Sequence, residues 1–141
     1  MKNLFKGAIA SLLVVGMTVV GCNSNKAVVS DPASIHGEWN IVEAKGLSTE
    51  EGTHPATITF TADGKVNGCA TVNNFFGDYT FDGKSLMFDH LGLTRMMGME
   101  TSMKIEDAVV DAINKTKTAT VDGDKATFFD ADGNKLLELE R

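Results

Sequence analysis

The sequence predicts an α+β fold, a small, strongly curved and mostly antiparallel β-sheet closed by one amphipathic helix. Four Asp-Gly pairs interrupt apolar segments, and this arrangement is the strongest short-range signal for a β-hairpin. Ala56–Thr61 alternates apolar and polar residues, as a half-buried strand does. Glu100–Asn114 contains no glycine or proline and has apolar residues at helical spacing. Together these features indicate one domain, a barrel-like meander of hairpins with a single helix.

The predicted strands follow the Asp-Gly turns in chain order. A first strand is expected at Ile35–Ala44, where Trp39 and Ile41 lie on a rough alternation. The expected hairpins pair Ala56–Thr61 with Lys65–Asn67, Phe76–Phe81 with Lys84–Phe88, Thr118–Val121 with Lys125–Phe129, and Lys125–Phe129 with Lys135–Leu139. The helix over Glu100–Asn114 would close the open side of this sheet, with its apolar residues facing inward.

The stretch Val66–Tyr79 is expected to organise the fold. It holds residues that tolerate positive φ or a close backbone approach, namely Gly68, Asn73, Asn74 and Gly77. Phe75 and Tyr79 would place the stretch against the core. The composition therefore predicts an irregular, compact turn rather than a plain strand.

Residues 1–21 are predicted to be a signal peptide. Two lysines precede the apolar run Gly7–Val20, which is too short to span a membrane comfortably. The small and apolar residues directly before Cys22 resemble a bacterial lipobox. That resemblance implies cleavage before Cys22 and a diacylglycerol on its sulfur. An ordinary signal peptide with an incidental cysteine is the alternative.

Residues 22–34 are expected to form a lipidated N-terminus and tether ahead of a domain at 35–141. Loss of the two leader lysines changes the formal net charge from −6 to −8. An acidic surface argues against nucleic acid as a partner and against adhesion to anionic lipid, so acyl chains would provide the membrane anchor. The residue after the lipidated cysteine, Asn23, is not an aspartate, and this is associated with transfer of a lipoprotein to the outer membrane. We therefore expect the protein there, on either the periplasmic or the surface-facing side.

The remaining candidate groups predict no enzyme, cofactor or metal site. Cys69 would be the only cysteine of the domain, and we expect a small buried apolar residue rather than a reactive thiol. The three histidines, His36, His54 and His90, lie on separate segments and are expected at the surface or in caps rather than in a metal site. Asp130-x-Asp132-Gly133-Asn134 resembles a calcium loop, but its glycine comes too early and a hairpin turn explains it.

Five methionines form a cluster in the sequence around the expected loop and helix. They are Met87, Met96, Met97, Met99 and Met103. Clustered thioethers are candidate Cu(I) ligands, yet methionine more often fills irregular apolar gaps. We therefore expect these side chains to pack in the core.

Several short motifs, in this order and at this spacing, resemble the META-domain family of the heat-shock lipoprotein HslJ type. The motifs are Gly37-x-Trp39, Gly64-x-Val66-x-Gly68, Asn73-x-Phe75-x-Gly77-x-Tyr79, Thr94-x-Met96, a helix with Glu100 and Glu106, and Leu137-x-Leu139-x-Arg141. The family often has cysteines at the positions of Val72 and Gly98. Because both are absent here, the resemblance implies that these positions contact each other, and a disulfide between them in other family members would account for their joint absence.

The resemblance implies an exported, often lipid-anchored domain linked to heat shock, antibiotic tolerance or secretion and motility, without an established reaction. We expect a non-enzymatic envelope lipoprotein that acts in stress response or binds an unidentified envelope protein. A lipocalin-like carrier of a small apolar ligand is the alternative, since lipocalins also begin with Gly-x-Trp. Here, however, the helix precedes two hairpins, and about 105 residues are few for eight long strands around a cavity.

Overall fold

The computed structural model describes residues 29–141. The predictions for the signal peptide, for Cys22 and for most of the tether lie outside the described residues. Within the described part of the chain, no helix is long and apolar enough to cross a membrane.

Nine strands and one α-helix follow a short 3-10 helix at Pro32–Ile35. The strands are β1 (Gly37–Ala44), β2 (Leu47–Ser48), β3 (Thr57–Phe60), β4 (Lys65–Cys69), β5 (Asn74–Phe81), β6 (Leu86–Leu93), β7 (Thr118–Asp122), β8 (Lys125–Phe129) and β9 (Lys135–Glu140). The helix α1 spans Glu100–Lys115. The four Asp-Gly turns all join antiparallel neighbours, as the sequence predicts.

The strands form one antiparallel sheet in the order β6-β5-β4-β3-β1-β9-β8-β7, with β2 paired to β1. The sheet curls until its two outer strands meet at a single bridge between Ser85 and Thr118. There the Leu86 N–H donates to the Lys117 carbonyl over 3.0 Å. Beyond this point β6 and β7 diverge, and α1, which connects them, packs against β1, β2 and β9 and lines a cleft with β6. The prediction of a curved antiparallel sheet closed by one helix is confirmed.

The curled sheet has two ends, which we call the terminal end and the helix-entry end. The terminal end carries the 3-10 helix and the last residue, Arg141, whose guanidinium bonds to the carbonyls of His36 and Ser34. The helix-entry end carries the turn between β4 and β5 at residues 70–73 and the loop over residues 94–99 that leads into α1.

The core lies between the concave face of the sheet and α1. Trp39, Phe60 and Phe128 are at most 1% exposed. The Phe60 ring meets Tyr79 edge-on with 4.8 Å between centroids, a favoured aromatic geometry. The helix buries the predicted residues Ile105, Val109, Ala112 and Ile113.

The structure corrects the prediction for Val66–Tyr79. The irregular part is limited to residues 70–73, and the rest of the stretch belongs to β4 and β5. Gly68 and Gly77 lie inside these strands, where a neighbouring chain comes close. A Cβ on Gly68 would lie 2.0 Å from the Thr57 carbonyl oxygen, and one on Gly77 would lie 2.8 Å from that of Asp89.

The first strand also begins later than predicted. Ile35 belongs to the 3-10 helix, where Asp31 caps the Ala33 N–H and Pro32 occupies the first helical position. Gly37 then turns the chain into β1 with φ +106°, a value that favours glycine.

Candidate functional site

Three of the family-like motifs, those of Asn73, Thr94-x-Met96 and Glu106, meet at one buried junction at the helix-entry end. Its centre is Asn73, which is 2% exposed at the end of the turn between β4 and β5. The Asn73 Oδ1 accepts hydrogen bonds from the Thr94 hydroxyl over 3.0 Å and from the Met96 N–H over 2.6 Å. Its Nδ2 donates to the Met96 carbonyl over 3.0 Å. The Asn73 side-chain amide therefore pairs with both the N–H and the C=O of Met96, as a neighbouring strand would, and attaches the loop to the sheet.

The carboxylate of Glu106, which is 3% exposed, completes the Asn73–Glu106 junction from α1. Its Oε2 accepts the N–H groups of Val72, at 3.1 Å, and Asn73, at 2.7 Å. Its Oε1 accepts the Asn73 Nδ2 at 2.6 Å. Three N–H donors thus satisfy the buried Glu106 side chain, which forms no ion pair within residues 29–141. The junction joins turn, loop and helix.

A second set of contacts supports the same turn. Thr71 has φ +93°, which is strained for a β-branched residue. Its hydroxyl donates to the Ser102 carbonyl over 3.0 Å, and its own carbonyl accepts the His54 N–H over 3.1 Å. The Ser102 hydroxyl also accepts the Thr53 N–H over 2.9 Å. These bonds keep the turn against the first residues of α1.

Val72 and Gly98, the two positions at which the resemblance implies cysteines, contact each other here. A Cβ built on Gly98 would lie 2.5 Å from the Val72 Cγ2. Such proximity agrees with the expectation that the two positions contact each other. In this chain, the Val72 side chain occupies the space next to Gly98, which has no side chain of its own.

The other motif residues shape the two faces of the sheet. Phe75 packs over Gly68, where a Cβ would lie 2.5 Å from its ring. The Tyr79 hydroxyl donates to the Thr61 carbonyl over 2.7 Å. At the terminal end the Arg141 guanidinium lies 4.1 Å from the centroid of the Trp39 ring. Gly68, Phe75 and Trp39 therefore take part in packing, and Tyr79 also stabilises a turn through its hydroxyl.

The prediction that the methionines pack in the core is wrong. Met87, Met96, Met97 and Met99 are 58%, 56%, 89% and 72% exposed, and Met103 is partly buried. For the loop, the reason is the Asn73–Glu106 junction, which binds the backbone of Met96 and leaves its thioether outside. Met87 lies on β6, where side chains alternate between the two faces, and its side chain is on the exposed face. Among residues 29–141, no group of three or more His, Cys, Asp or Glu converges on a possible metal position.

Cys69 is also more exposed than the sequence predicts. It ends β4 and is only partly buried, although it has no disulfide partner among the described residues. Of the histidines, His54 and His90 are exposed and His36 is partly buried. Asp130 accepts the N–H groups of Asp132 and Asn134, both at 2.9 Å, so the calcium-like stretch forms a hydrogen-bonded hairpin turn, as predicted.

The outer face of β4–β6 carries an exposed charged group. Lys65 donates to Asp78, whose other oxygen lies 3.1 Å from the His90 ring. The Lys65 hydrogen bond is the main reason that the pKa of Asp78 lies below its ordinary value, with a smaller contribution from His90. This group lies at the surface, where solvent screens it.

A cleft of about 210 Å³ lies between β6 and α1. Its walls are mainly apolar, with Phe75, Leu91, Leu93, Val110 and Ile113, and its polar members are Arg95 and Asn114. A smaller pocket of about 50 Å³ shares Leu91, Ile113 and Asn114 with the cleft and adds Phe88 and Lys117. The two form one groove along β6, which we call the β6–α1 groove.

The fold and the junction define a class of protein: a half-barrel α+β domain whose single helix is attached to the sheet by a buried Asn–Glu pair. The META domain family model matches residues 33–141, and the chain belongs to that family.

Solved structures agree with this assignment. A protein from Burkholderia xenovorans, solved by NMR, is similar at 27% identity, with a TM-score of 0.60 over 82% of this chain and 92% of that one. A crystal structure of a DUF4847 family protein from Bacteroides vulgatus has 14% identity and a TM-score of 0.55, covering 75% of this chain and 92% of the other. At that identity it shows the fold alone. No curated protein matches the chain significantly.

Proposed function

We propose that this protein is a non-enzymatic lipoprotein of the outer membrane that acts in the envelope stress response by binding another envelope protein. The observation that carries the proposal is a set of exposed apolar side chains along β5, β6 and the following loop. Phe76 is 56% exposed and Met97 is 89% exposed. Where exposed apolar side chains form a contiguous patch, they often mark an interaction surface. Methionine suits it, because its flexible thioether adapts to different partner surfaces.

The path of the chain supports a membrane-tethered arrangement. Ser30, close to the start of the described residues, bonds through its N–H to the Gly83 carbonyl and through its hydroxyl to that of Val121. A lipid anchor on Cys22 would therefore reach the domain at the terminal end. The helix-entry end, with Met96 and Met97, would face away from the membrane and remain free for a partner.

The filled interior favours a binding surface over the alternative, a lipocalin-like carrier. A carrier needs an enclosed apolar cavity. Trp39, Phe60, Phe128 and the buried face of α1 occupy the corresponding space here.

Lipid labelling tests the anchor. Cells that express the protein are grown with labelled palmitate, and the label is followed on the wild type and on Cys22→Ser. We expect label on the wild type and none on Cys22→Ser. Cys69→Ser is the matched control, since it removes the other cysteine and should keep the label. A cleaved wild-type protein without label would contradict the proposal.

Site-specific cross-linking tests the interaction surface. Benzoylphenylalanine at Met97 is expected to give a discrete cross-linked product in intact cells. The same group at Lys125, which is exposed on β8 at the terminal end, serves as the control. Equal products from both positions, or none from Met97, would contradict the proposed surface.

A further inference from the structure

We propose that the outer edge of β6 binds an extended peptide as an additional antiparallel strand, with apolar side chains in the β6–α1 groove and an acidic side chain at Arg95. This inference rests on the proposed function and identifies a site and a class of ligand for it. The backbone of β6, the walls of the groove and its charges support it.

The backbone of β6 offers hydrogen-bonding groups on its free side. The Leu86 N–H points away from β5, because it donates to Lys117. Since direction alternates along a strand, the N–H and C=O of Phe88 point the same way. At the other end the Thr94 N–H bonds to the Asn74 carbonyl, so the groups of Leu93 also point outward. Beyond the Ser85–Thr118 bridge, β6 has β5 as its strand neighbour and α1 across the groove.

The dimensions suit a short strand. Phe88 and Leu93 are five positions apart, with the register shift against β5 and the positive φ of His90 between them, so they are closer than the roughly 16 Å of a fully extended chain. An added strand of five or six residues would span this distance. In a strand, alternate side chains point to one face, so every second peptide side chain would enter the groove between Leu91 and Ile113. Strand addition of this kind obtains affinity from the backbone and specificity from alternate pockets.

The charges of the groove select the ligand. Arg95 and Lys117 lie near its two ends and take part in no ion pair within residues 29–141. No acidic residue lines the groove. On a chain of net charge −6, these two cations favour an acidic peptide. A second copy of this chain fits poorly, because its own β6 edge would bring the same cations into the interface.

The antiparallel orientation determines which end of the peptide lies near each cation of the groove. An antiparallel peptide has its N-terminal part beside the end of β6, next to Arg95. Its C-terminal carboxylate then lies toward Lys117. The suitable probe is an acetylated hexapeptide with one N-terminal aspartate followed by alternating valine and threonine.

The test is a titration of the isotope-labelled full-length protein with this peptide, followed by NMR. Amide shifts are expected at Phe88, at Leu93 and in the second half of α1. Arg95→Glu should weaken binding at least tenfold. Lys125→Glu, with the same change in charge at a distant exposed position, should change it less than twofold. Thermal melts of both variants verify that they remain folded.

Two control peptides test the mode of binding. Replacing the aspartate by lysine should weaken binding at least tenfold, because Arg95 then faces a cation. N-methylation of alternate residues on the strand-pairing side should abolish it, because the donors are lost. Equal binding of the N-methylated peptide, shifts confined to another surface, or no binding at millimolar peptide would overturn the proposal. A dimer in sedimentation that the peptide dissociates would identify a second copy as the occupant instead.

The outcome is distinguishable from failure of the proposed function. If Met97 still cross-links to a protein in cells while the peptide does not bind to β6, the interaction surface stands and the strand-addition site is wrong. If Met97 gives no product but the peptide binds as expected, the site stands and the proposed surface around Met97 is wrong.

Discussion

The two ends of the curled sheet are held together by different physical means. At the helix-entry end a buried carboxylate, that of Glu106, accepts three N–H groups from the turn before β5. At the terminal end a partly exposed guanidinium, that of Arg141, lies over Trp39 and bonds to backbone carbonyls. Burial makes the difference. A buried polar group that loses its partner cannot turn to water, whereas an exposed one can. Stability should therefore be concentrated at the helix-entry end.

The largest effect is expected for Glu106→Ala. It leaves the N–H groups of Val72 and Asn73 without this acceptor and removes one of the two bonds of the Asn73 Nδ2. At about 1–3 kcal/mol for each lost partner, the loss should be about 3 kcal/mol or more. Asp107→Ala on the exposed side of α1 is the matched control and should change stability by about 0.5 kcal/mol at most. Urea denaturation measures both. Equal midpoints for the two variants would remove the contrast between the ends.

Asn73→Ala comes next, with an expected loss of roughly 1–3 kcal/mol, because the loop at Met96 loses its bonds to the Asn73 side chain. The double variant with Glu106→Ala should lose less than the sum of the two single losses by about 1 kcal/mol, since both remove the same bond. Strict additivity in the double-mutant cycle would show that the two side chains do not act together.

Arg141→Ala should cost about 1 kcal/mol, in line with an exposed cation–π contact. Arg141→Lys keeps the charge but not the planar group over Trp39, and should lie between the wild type and Arg141→Ala. Thermal melts with tryptophan fluorescence as the signal suit this pair, because Trp39 is the only tryptophan. A loss as large as that of Glu106→Ala would reverse the comparison.

The smallest effect concerns Tyr79, a buried neutral group toward the terminal end. Burial, and to a lesser degree the charge of Asp63, raises its pKa above the ordinary value near 10. As the pH rises past the unfolded value, the unfolded chain loses a proton that the folded one retains, so stability falls there. Tyr79 is the only tyrosine, and ultraviolet titration reports it directly. Asp63→Asn should reduce the upward shift, and a wild-type midpoint at or below 10 would contradict the burial argument.

Local signals were enough to predict the hairpins and the helix. Each Asp-Gly pair permits a tight turn by itself, and the spacing of Ile105, Val109 and Ile113 places one face of α1 inward without knowledge of the rest. The strand ends were less predictable. Lengthening β6 to Leu93 depends on its pairing with β5, which is a property of the assembled sheet.

The Asn73–Glu106 junction was only partly visible in the sequence. Asn73 stood out as a turn residue, but its partner lies 33 positions away. One signal pointed to Glu106, which lies among the apolar positions of α1 where a carboxylate is costly unless it is bonded. The burial of the loop methionines was mispredicted because it also depends on a long-range contact. Composition favours burial, while the position of the loop depends on a hydrogen bond that no local pattern reveals.

The pairing of β1 with β9 affects when the protein can fold. Partners such as Asn40 and Glu140 are about 100 positions apart, and the two strands lie in the middle of the sheet. Long-range pairing of this kind slows folding, because a long chain loop must close before the contacts form. The sheet cannot be completed until β9 has been synthesised, and until then Trp39 remains uncovered. For a chain that we propose is exported, such a delay would keep it unfolded long enough to be translocated.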